Sequence, residues 1–246
     1  MSTTPASAAQ PPLSETARIL NTFIAPTQTF ADIRCNQSWW VPWLLMAIVS
    51  LGFVFMIGQK VGFDQVMRNE MAKSPSRMEQ LEKLPPDQRE RQLEFGVKIT
   101  TYVSYASPIV NLVLMVAVAG IFFAIFNFGA SAEITFKQSL AIVMYSWLPF
   151  VISALLGIVS LAIGVDTEGF NIRNPVASNP AYFMDPLEHK FLYGLLSAAD
   201  VFSLWVVILM GVGYASVSKL KTSNAIYTVL AAFLLFKVIA AGIGAL

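Results

Sequence analysis

Two ionisable residues lie inside long apolar stretches of the sequence, and their positions could support chemistry. Asp200 and Lys237 each interrupt a run of apolar residues. A charge near the centre of a bilayer costs about 2.5–3.5 kcal/mol, so it faces a partner or water. Counted from the short turn that joins the two runs, Lys237 lies about 13 residues along its run and Asp200 about 17 along the other. At a rise of about 1.5 Å per residue, their depths in the membrane differ by about 6 Å. The spacing predicts a candidate intramembrane ion pair, either structural or part of an ion or proton pathway.

The remaining reactive side chains do not have the spacing of an active site. His189 is the only histidine, which excludes a multi-histidine zinc site, and Cys35 is the only cysteine, which excludes an internal disulfide. The sequence has no phosphate-binding glycine loop. We therefore predict no catalytic, cofactor-binding or metal-binding residue, no cofactor and no enzymatic activity. A net charge of +1 gives no reason to expect a nucleic-acid partner.

The apolar runs are long enough to be membrane spans. The chain is 56% hydrophobic and only 13% charged, whereas a soluble domain carries about 25% charged residues. A helix of about 20 residues crosses the hydrocarbon core. The sequence predicts an all-α polytopic membrane protein, a bundle of about five transmembrane helices. The predicted spans are residues 39–58, 103–128, 138–164, 194–217 and 224–246.

Outside the spans, the sequence predicts a disordered tail at residues 1–13 and one membrane domain at 14–246. Residues 14–36 have the pattern of an amphipathic helix pair broken at Pro26, lying either in the lipid headgroup region or on the protein's own loops. Residues 59–101 form a polar helical loop with two helices: Ser74 is placed to cap the first, Pro85 and Pro86 end it, and the second leads into the second span. Three prolines lie within the first, second and third predicted spans, and each removes a backbone donor, so we predict helix kinks. They are Pro42, Pro108 and Pro149.

Several short motifs occur in a familiar order. They are the Phe23–Phe30 segment, Trp39–Pro42, the Tyr145–Pro149 stretch and Asp200–Trp205. With these motifs, the chain resembles the bacterial branch of the Yip domain (Ypt-interacting-protein) family over about residues 15–246. The motif positions are Pro26, Phe30, Pro42, Gly129, Tyr145, Pro149, Asp200 and Trp205.

The resemblance implies a five-helix membrane domain with a cytosolic N-terminus, in the bacterial cytoplasmic membrane. Eukaryotic members of the family act in vesicle trafficking with Rab-type GTPases. Their Asp-Leu-Tyr-Gly-Pro signature before the first span is absent from this sequence. The resemblance therefore does not carry GTPase binding over to this chain.

The distribution of charge favours the opposite orientation. With the N-terminus inside, the cytoplasmic segments contain five Lys or Arg residues and the outer segments ten. Cytoplasmic loops usually carry the excess of positive charge. The resemblance and the charge count therefore predict opposite orientations, and we adopt the N-inside orientation.

The leading functional prediction is a non-enzymatic integral membrane scaffold that acts through protein or lipid partners. The alternative is a small transporter or channel subunit that uses the intramembrane pair Asp200 and Lys237. Membrane lipids, membrane or cytosolic proteins and a second copy of the chain are the partners that the sequence leaves open.

Overall fold

A computed structural model describes residues 12–164, 167–185 and 187–245 of the protein. Within those residues the structure is helical and contains no β-strand. The helices are α1 (Glu15–Ile24), α2 (Pro26–Asp32), α3 (Trp40–Lys60), α4 (Phe63–Ala72), α5 (Pro75–Glu82), α6 (Pro86–Tyr105), α7 (Ser107–Ala124), α8 (Phe136–Ser146), α9 (Pro149–Ile163), α10 (Lys190–Leu196), α11 (Val201–Val217) and α12 (Thr222–Ala245).

Five membrane spans account for the apolar helices if one bent pair counts as a single span. Four helical segments in the described residues are long and apolar enough to cross a membrane: Trp40–Lys60, Ser107–Gly129, Phe136–Ile163 and Thr222–Gly244. The fifth candidate is the pair Lys190–Ala199 and Val201–Val217, which bends by 55°. The predicted polytopic membrane bundle is therefore confirmed. The fourth span, predicted as one helix over residues 194–217, is broken.

The N-terminal segment forms the predicted helix pair. The side chain of Ser14 accepts a hydrogen bond from the backbone N–H of Ala17, which caps α1. Ala25 leaves the helical conformation and Pro26 begins α2, where a proline removes no helical hydrogen bond. Of the predicted disordered tail, residues 1–11 lie outside the described part of the chain. Its last residue, Leu13, donates its backbone N–H to the carboxylate of Asp32 at 3.1 Å.

The polar loop contains three helices. The helices α5 and α6 agree with the prediction, although Ser74 makes no side-chain capping bond to α5. The helix α4 was not predicted. It begins after Gly62, whose φ of 81° suits a residue without a Cβ, and its buried Val66 packs with Ile57 and Phe170. An apolar anchor of this kind fixes the loop against the ends of the spans.

The predicted proline kinks differ in outcome. Pro42 lies in the first turn of α3, where the N–H groups have no partner within the helix, so it interrupts no hydrogen bond and no kink is required there. Pro108 and Pro149 stand at the starts of α7 and α9. They therefore mark breaks between successive helices and do not lie in a helix interior.

The core lies where α2, α7, α8 and α11 meet. All eight residues from Ser139 to Ser146 are buried, so this part of α8 is surrounded on every side, whereas Phe136 and Lys137 in its first turn are exposed. The side chains of Phe30 and Ile142 lie against Gly213, where a Cβ would come within 3.1 Å of the Phe30 ring. Glycine at this position lets α2 approach α11 closely.

Candidate functional site

A fully buried arginine joins the N-terminal helix pair to the membrane bundle. The Arg18 side chain has no exposed surface. Its Nε lies 3.2 Å from Asp32 Oδ2, and its Nη1 lies 3.5 Å from Glu15 Oε1. Its Nη2 donates to the backbone carbonyl of Asn36 at 2.8 Å. Moving a charge from water to the protein interior costs several kcal/mol, and these anionic and carbonyl oxygens offset that cost.

Tyr145 of α8 connects this arginine to the bundle. The guanidinium carbon of Arg18 lies 4.6 Å from the centroid of the Tyr145 ring, a cation–π distance. The Tyr145 hydroxyl donates to Glu15 Oε2 at 2.7 Å. We call Glu15, Arg18, Asp32 and Tyr145 the arginine cluster. It joins α1, the end of α2 and α8.

The backbone of Arg18 also ties the two N-terminal helices together. Its carbonyl oxygen accepts hydrogen bonds from the hydroxyls of Thr22 at 2.8 Å and Thr29 at 2.9 Å. Both threonines are fully buried. Farther along the chain, Arg34 Nε donates to the carbonyl of Ser216 at the end of α11. The N-terminal helix pair is therefore attached to the rest of the protein. This agrees with the predicted alternative in which the pair packs on the protein rather than only on lipid headgroups.

A second polar contact lies deeper in the bundle. The Ser139 hydroxyl donates to the Ala119 carbonyl at 2.7 Å, so the Tyr214 hydroxyl, 2.7 Å from the same oxygen, must be the donor to it. The Tyr214 ring stacks on Phe126 with centroids 4.2 Å apart. This contact fastens α7, α8 and α11 to each other and satisfies the buried hydroxyls.

The predicted pair of Asp200 and Lys237 has a different geometry from the one expected. Asp200 does not lie inside a helix but caps α11, accepting a hydrogen bond from the Ser203 N–H at 2.7 Å and another from the Ser178 hydroxyl. The Lys237 Nζ lies 5.6 Å from the Phe233 ring centroid. Asp200 is close enough to Lys237 for an electrostatic interaction, but the two do not form a direct ion pair in the described structure. A functional pairing stays a prediction.

The other motif positions lie at helix ends or in the core. Trp205 packs edge-on against Phe23, with ring centroids 5.7 Å apart, so α11 contacts α1 there. Gly129 closes a short π-helical turn after α7. Phe30, Pro42, Tyr145 and Pro149 are buried. Of these positions, Phe30, Tyr145 and Trp205 lie at contacts between the N-terminal pair and the bundle.

Sequence reasoning missed the arginine cluster. Arg18 was counted only as one of the positive charges near the N-terminus, and Tyr145 only as a motif position. One available signal was the acid–base pair Glu15 and Arg18, three residues apart on α1. Cys35 and His189 are exposed, and no group of His, Cys, Asp and Glu in the described residues is arranged to hold a metal ion.

A family model described as "Yip1 domain" matches residues 20–243 of the chain. No curated protein matches the chain at a significant level, and no solved structure does.

Proposed function

We propose a function from one premise: this chain belongs to the Yip1 domain family, whose model matches nearly its whole length. It is an integral multi-pass membrane protein. We infer that it works without catalysis, as a scaffold that holds protein or lipid partners at a membrane surface.

One observation carries this proposal: the N-terminal pair is locked to the bundle and still presents apolar side chains outward. Leu20 is 57% exposed and Ile24 is 80% exposed. The arginine cluster fixes the opposite side of the pair, so these two residues cannot turn inward together without breaking it. We call α1 and α2 the N-terminal platform. Large exposed apolar side chains on a fixed support suit binding to a partner.

The platform suits a scaffold because a bound partner would be held at a fixed position relative to the spans. Arg18 contacts α8 through Tyr145, and Arg34 contacts the end of α11. A flexible segment loses conformational entropy when it binds a partner. The platform is already ordered in the free protein, so binding does not incur that loss.

Comparative cross-linking from the platform tests this function. A photoreactive amino acid is placed at Leu20 or Ile24 in native membranes, and at Gln80, an exposed residue of the polar loop at the other end of the first span, as the control. We expect Leu20 and Ile24 to cross-link the same protein or lipid class, and Gln80 to give little of it. The double change Leu20→Ser with Ile24→Ser should lower recovery of that class at least about tenfold, as expected for a loss of about 1.4 kcal/mol. Identical products from all three positions would contradict the proposal.

The membrane and the orientation belong to the same proposal. The motif order supports the bacterial branch of the family, and with it a bacterial cytoplasmic membrane and a cytosolic platform. The absent Asp-Leu-Tyr-Gly-Pro signature argues against a Rab-type GTPase as the partner.

A small transporter or channel subunit is the second candidate, because Lys237 lines a polar cleft. It has less support, since both carboxylate oxygens of Asp200 are hydrogen-bonded as part of a helix cap. Ion flux in proteoliposomes distinguishes the two candidates. Flux that Lys237→Met abolishes and Lys60→Met preserves would favour transport over scaffolding.

A further inference from the structure

A cleft of about 770 Å³ separates the polar loop from the last spans. Its walls come from α4, α5 and α6 on one side and from α10, α12 and the loop after α9 on the other. The floor is tight: a Cβ on Gly194 of α10 would lie 2.8 Å from the Cβ of Ala241 in α12. The cleft therefore ends at a close helix contact.

The charged residues that line this cleft are mostly positive. The cations are Lys73, Arg77, Arg173, Lys190 and Lys237, and the one carboxylate is Glu70. We call this cavity the basic cleft. Five positive charges against one negative charge leave a net charge of +4 on its lining.

The single carboxylate is shared between two of the cations. Glu70 Oε1 lies 2.7 Å from Lys73 Nζ, and Glu70 Oε2 lies 3.1 Å from Arg173 Nε. Within the described residues, neither Arg77, Lys190 nor Lys237 forms an ion pair with a nitrogen–oxygen distance of 4 Å or less. An anionic group in the cleft would compensate these charges.

Apolar side chains line the same cleft beside the cations. Ile99 and Val103 of α6 are 46% and 57% exposed, and Phe236 of α12 is 66% exposed. Lys237 lies eight residues before Ala245, so at about 1.5 Å per residue it is about 12 Å from the end of α12. The cleft thus combines cations with an apolar wall that extends into the membrane-spanning part of α12.

We propose that the basic cleft binds one anionic phospholipid. The phosphate compensates Arg77 and Lys190, with Lys237 reaching it from below, and an acyl chain covers Val103 and Phe236. A soluble anion would leave the apolar wall exposed, and a neutral lipid would offset none of the net charge of +4. An anionic amphiphile covers the apolar wall and offsets part of that charge.

This site is independent of the proposed scaffold function. Arg34, just after the platform, contacts Ser216, which lies just before the turn into α12, whereas Lys237 and the other cleft residues of α12 lie in its later half. The two surfaces are at opposite ends of that helix. Failure of lipid binding would therefore leave the platform proposal standing, and the reverse also holds.

Lipid binding to the purified full-length chain tests the inference. The chain in a neutral detergent is titrated with phosphatidylglycerol and with phosphatidylcholine of the same acyl chains, and native mass spectrometry counts the bound lipid. We expect phosphatidylglycerol to bind at least about tenfold tighter. Combined Arg77→Gln and Lys190→Gln should weaken it by about thirtyfold, as expected for two basic residues at an anionic headgroup, and leave phosphatidylcholine unchanged.

The control variant has the same change in net charge, but at residues outside the basic cleft. Lys60→Gln with Arg91→Gln removes one lysine and one arginine, both exposed and neither lining the cleft, so binding should match the unmodified chain. Equal weakening in both double variants, or equal affinity for the two lipids, would overturn the proposal.

A third comparison distinguishes binding of a whole lipid from binding of its headgroup alone. Ala240→Trp fills the apolar wall without changing charge, so it should weaken phosphatidylglycerol binding several-fold while the melting temperature stays the same. Glycerol phosphate should compete only weakly. Competition as strong as that of phosphatidylglycerol would mean that the cleft recognises a soluble anion, which contradicts the proposal.

Discussion

Arg18 shows how a single side chain can decide where a segment of a membrane protein sits. Its charge is fully buried, so it must keep its partners in any folded state. Those partners come from α1, from α2 and the turn that follows it, and from α8. The arginine cluster therefore makes the position of the platform a condition of folding.

Replacing Arg18 should be among the most damaging single changes in the platform. Arg18→Met leaves Glu15 and Asp32 near each other without a cation, and breaking a buried ion pair costs about 3–5 kcal/mol. We expect a loss of that size in the free energy of unfolding, measured by denaturant titration in one detergent. Lys221→Gln, an exposed change near the same end of the bundle, should have little effect. Adding Asp32→Asn to Arg18→Met should recover part of the loss, and no recovery would contradict the electrostatic account.

Asp200 and Lys237 should behave as nearly independent residues. Asparagine caps helices about as well as aspartate, so Asp200→Asn should change stability by less than about 1 kcal/mol, while Asp200→Ala should cost about 1 kcal/mol or more. In a double-mutant cycle with Lys237→Met, we expect a coupling energy well below the 3–5 kcal/mol of breaking a contacting buried pair. A coupling of several kcal/mol would show that the two groups contact each other directly in the membrane.

Predictability from the sequence falls off with the sequence separation of the residues involved. The apolar stretches around Asp200 and Lys237 predict that both are intramembrane charges, because hydrophobicity is a local property. The hydrogen bond that Asp200 accepts from Ser178 was not predicted, because Ser178 lies in a loop 22 residues earlier. Tyr145 and Glu15 are 130 residues apart, so no local pattern could have joined them.

At the scale of the elements, α11 and α12 are joined by close backbone contact. A Cβ on Gly211 would lie 2.6 Å from the Ile226 Cα and 2.9 Å from its backbone nitrogen. Because backbone atoms cannot rotate away as a side chain can, the two helices would have to separate to admit a methyl group.

Gly211→Ala should therefore destabilise the protein although alanine is the better helix former. Overpacking of this kind typically costs about 1–3 kcal/mol. The matched control is Gly242→Ala in α12, where a Cβ would meet nothing within 4 Å and should be neutral or slightly stabilising. Thermal unfolding of both variants in one detergent decides the matter, and equal melting temperatures would show that the contact tolerates a methyl group.

The elements themselves were mostly predictable. The four spans other than the bent pair follow from apolar runs of sufficient length. The break before α11 was missed because Ser197–Ala199 and Val201 are as apolar as a continuous helix would be, and only the capping role of Asp200 distinguishes them. The helix α4 could have been predicted, because Phe63, Val66 and Met67 recur at helical spacing within an otherwise polar segment.

At the scale of the whole molecule, the platform and the polar loop lie at opposite ends of the first span. The helix α3 begins just after the platform and ends just before α4. Ser14 and Gln80 are both exposed, one at each end. They therefore report on the orientation of the chain, about which the motif order and the charge count disagree.

Cysteine accessibility measures that orientation in intact cells. In a Cys35→Ser background, Ser14→Cys should be shielded from a membrane-impermeant thiol reagent and Gln80→Cys should be labelled. After the membrane is permeabilised, both should be labelled, which controls for local reactivity. The reverse pattern before permeabilisation would show that the positive charge determines the topology.

The burial of α8 from Ser139 to Ser146 has a consequence for how the protein is made. In the finished structure this part of the helix presents no side to lipid, and it contains the polar residues Ser139 and Ser146. One of its neighbours, α7, precedes it, but α11 is synthesised only after about fifty further residues. During biogenesis, then, we expect the face of α8 that α11 covers to stay open until α11 has been made.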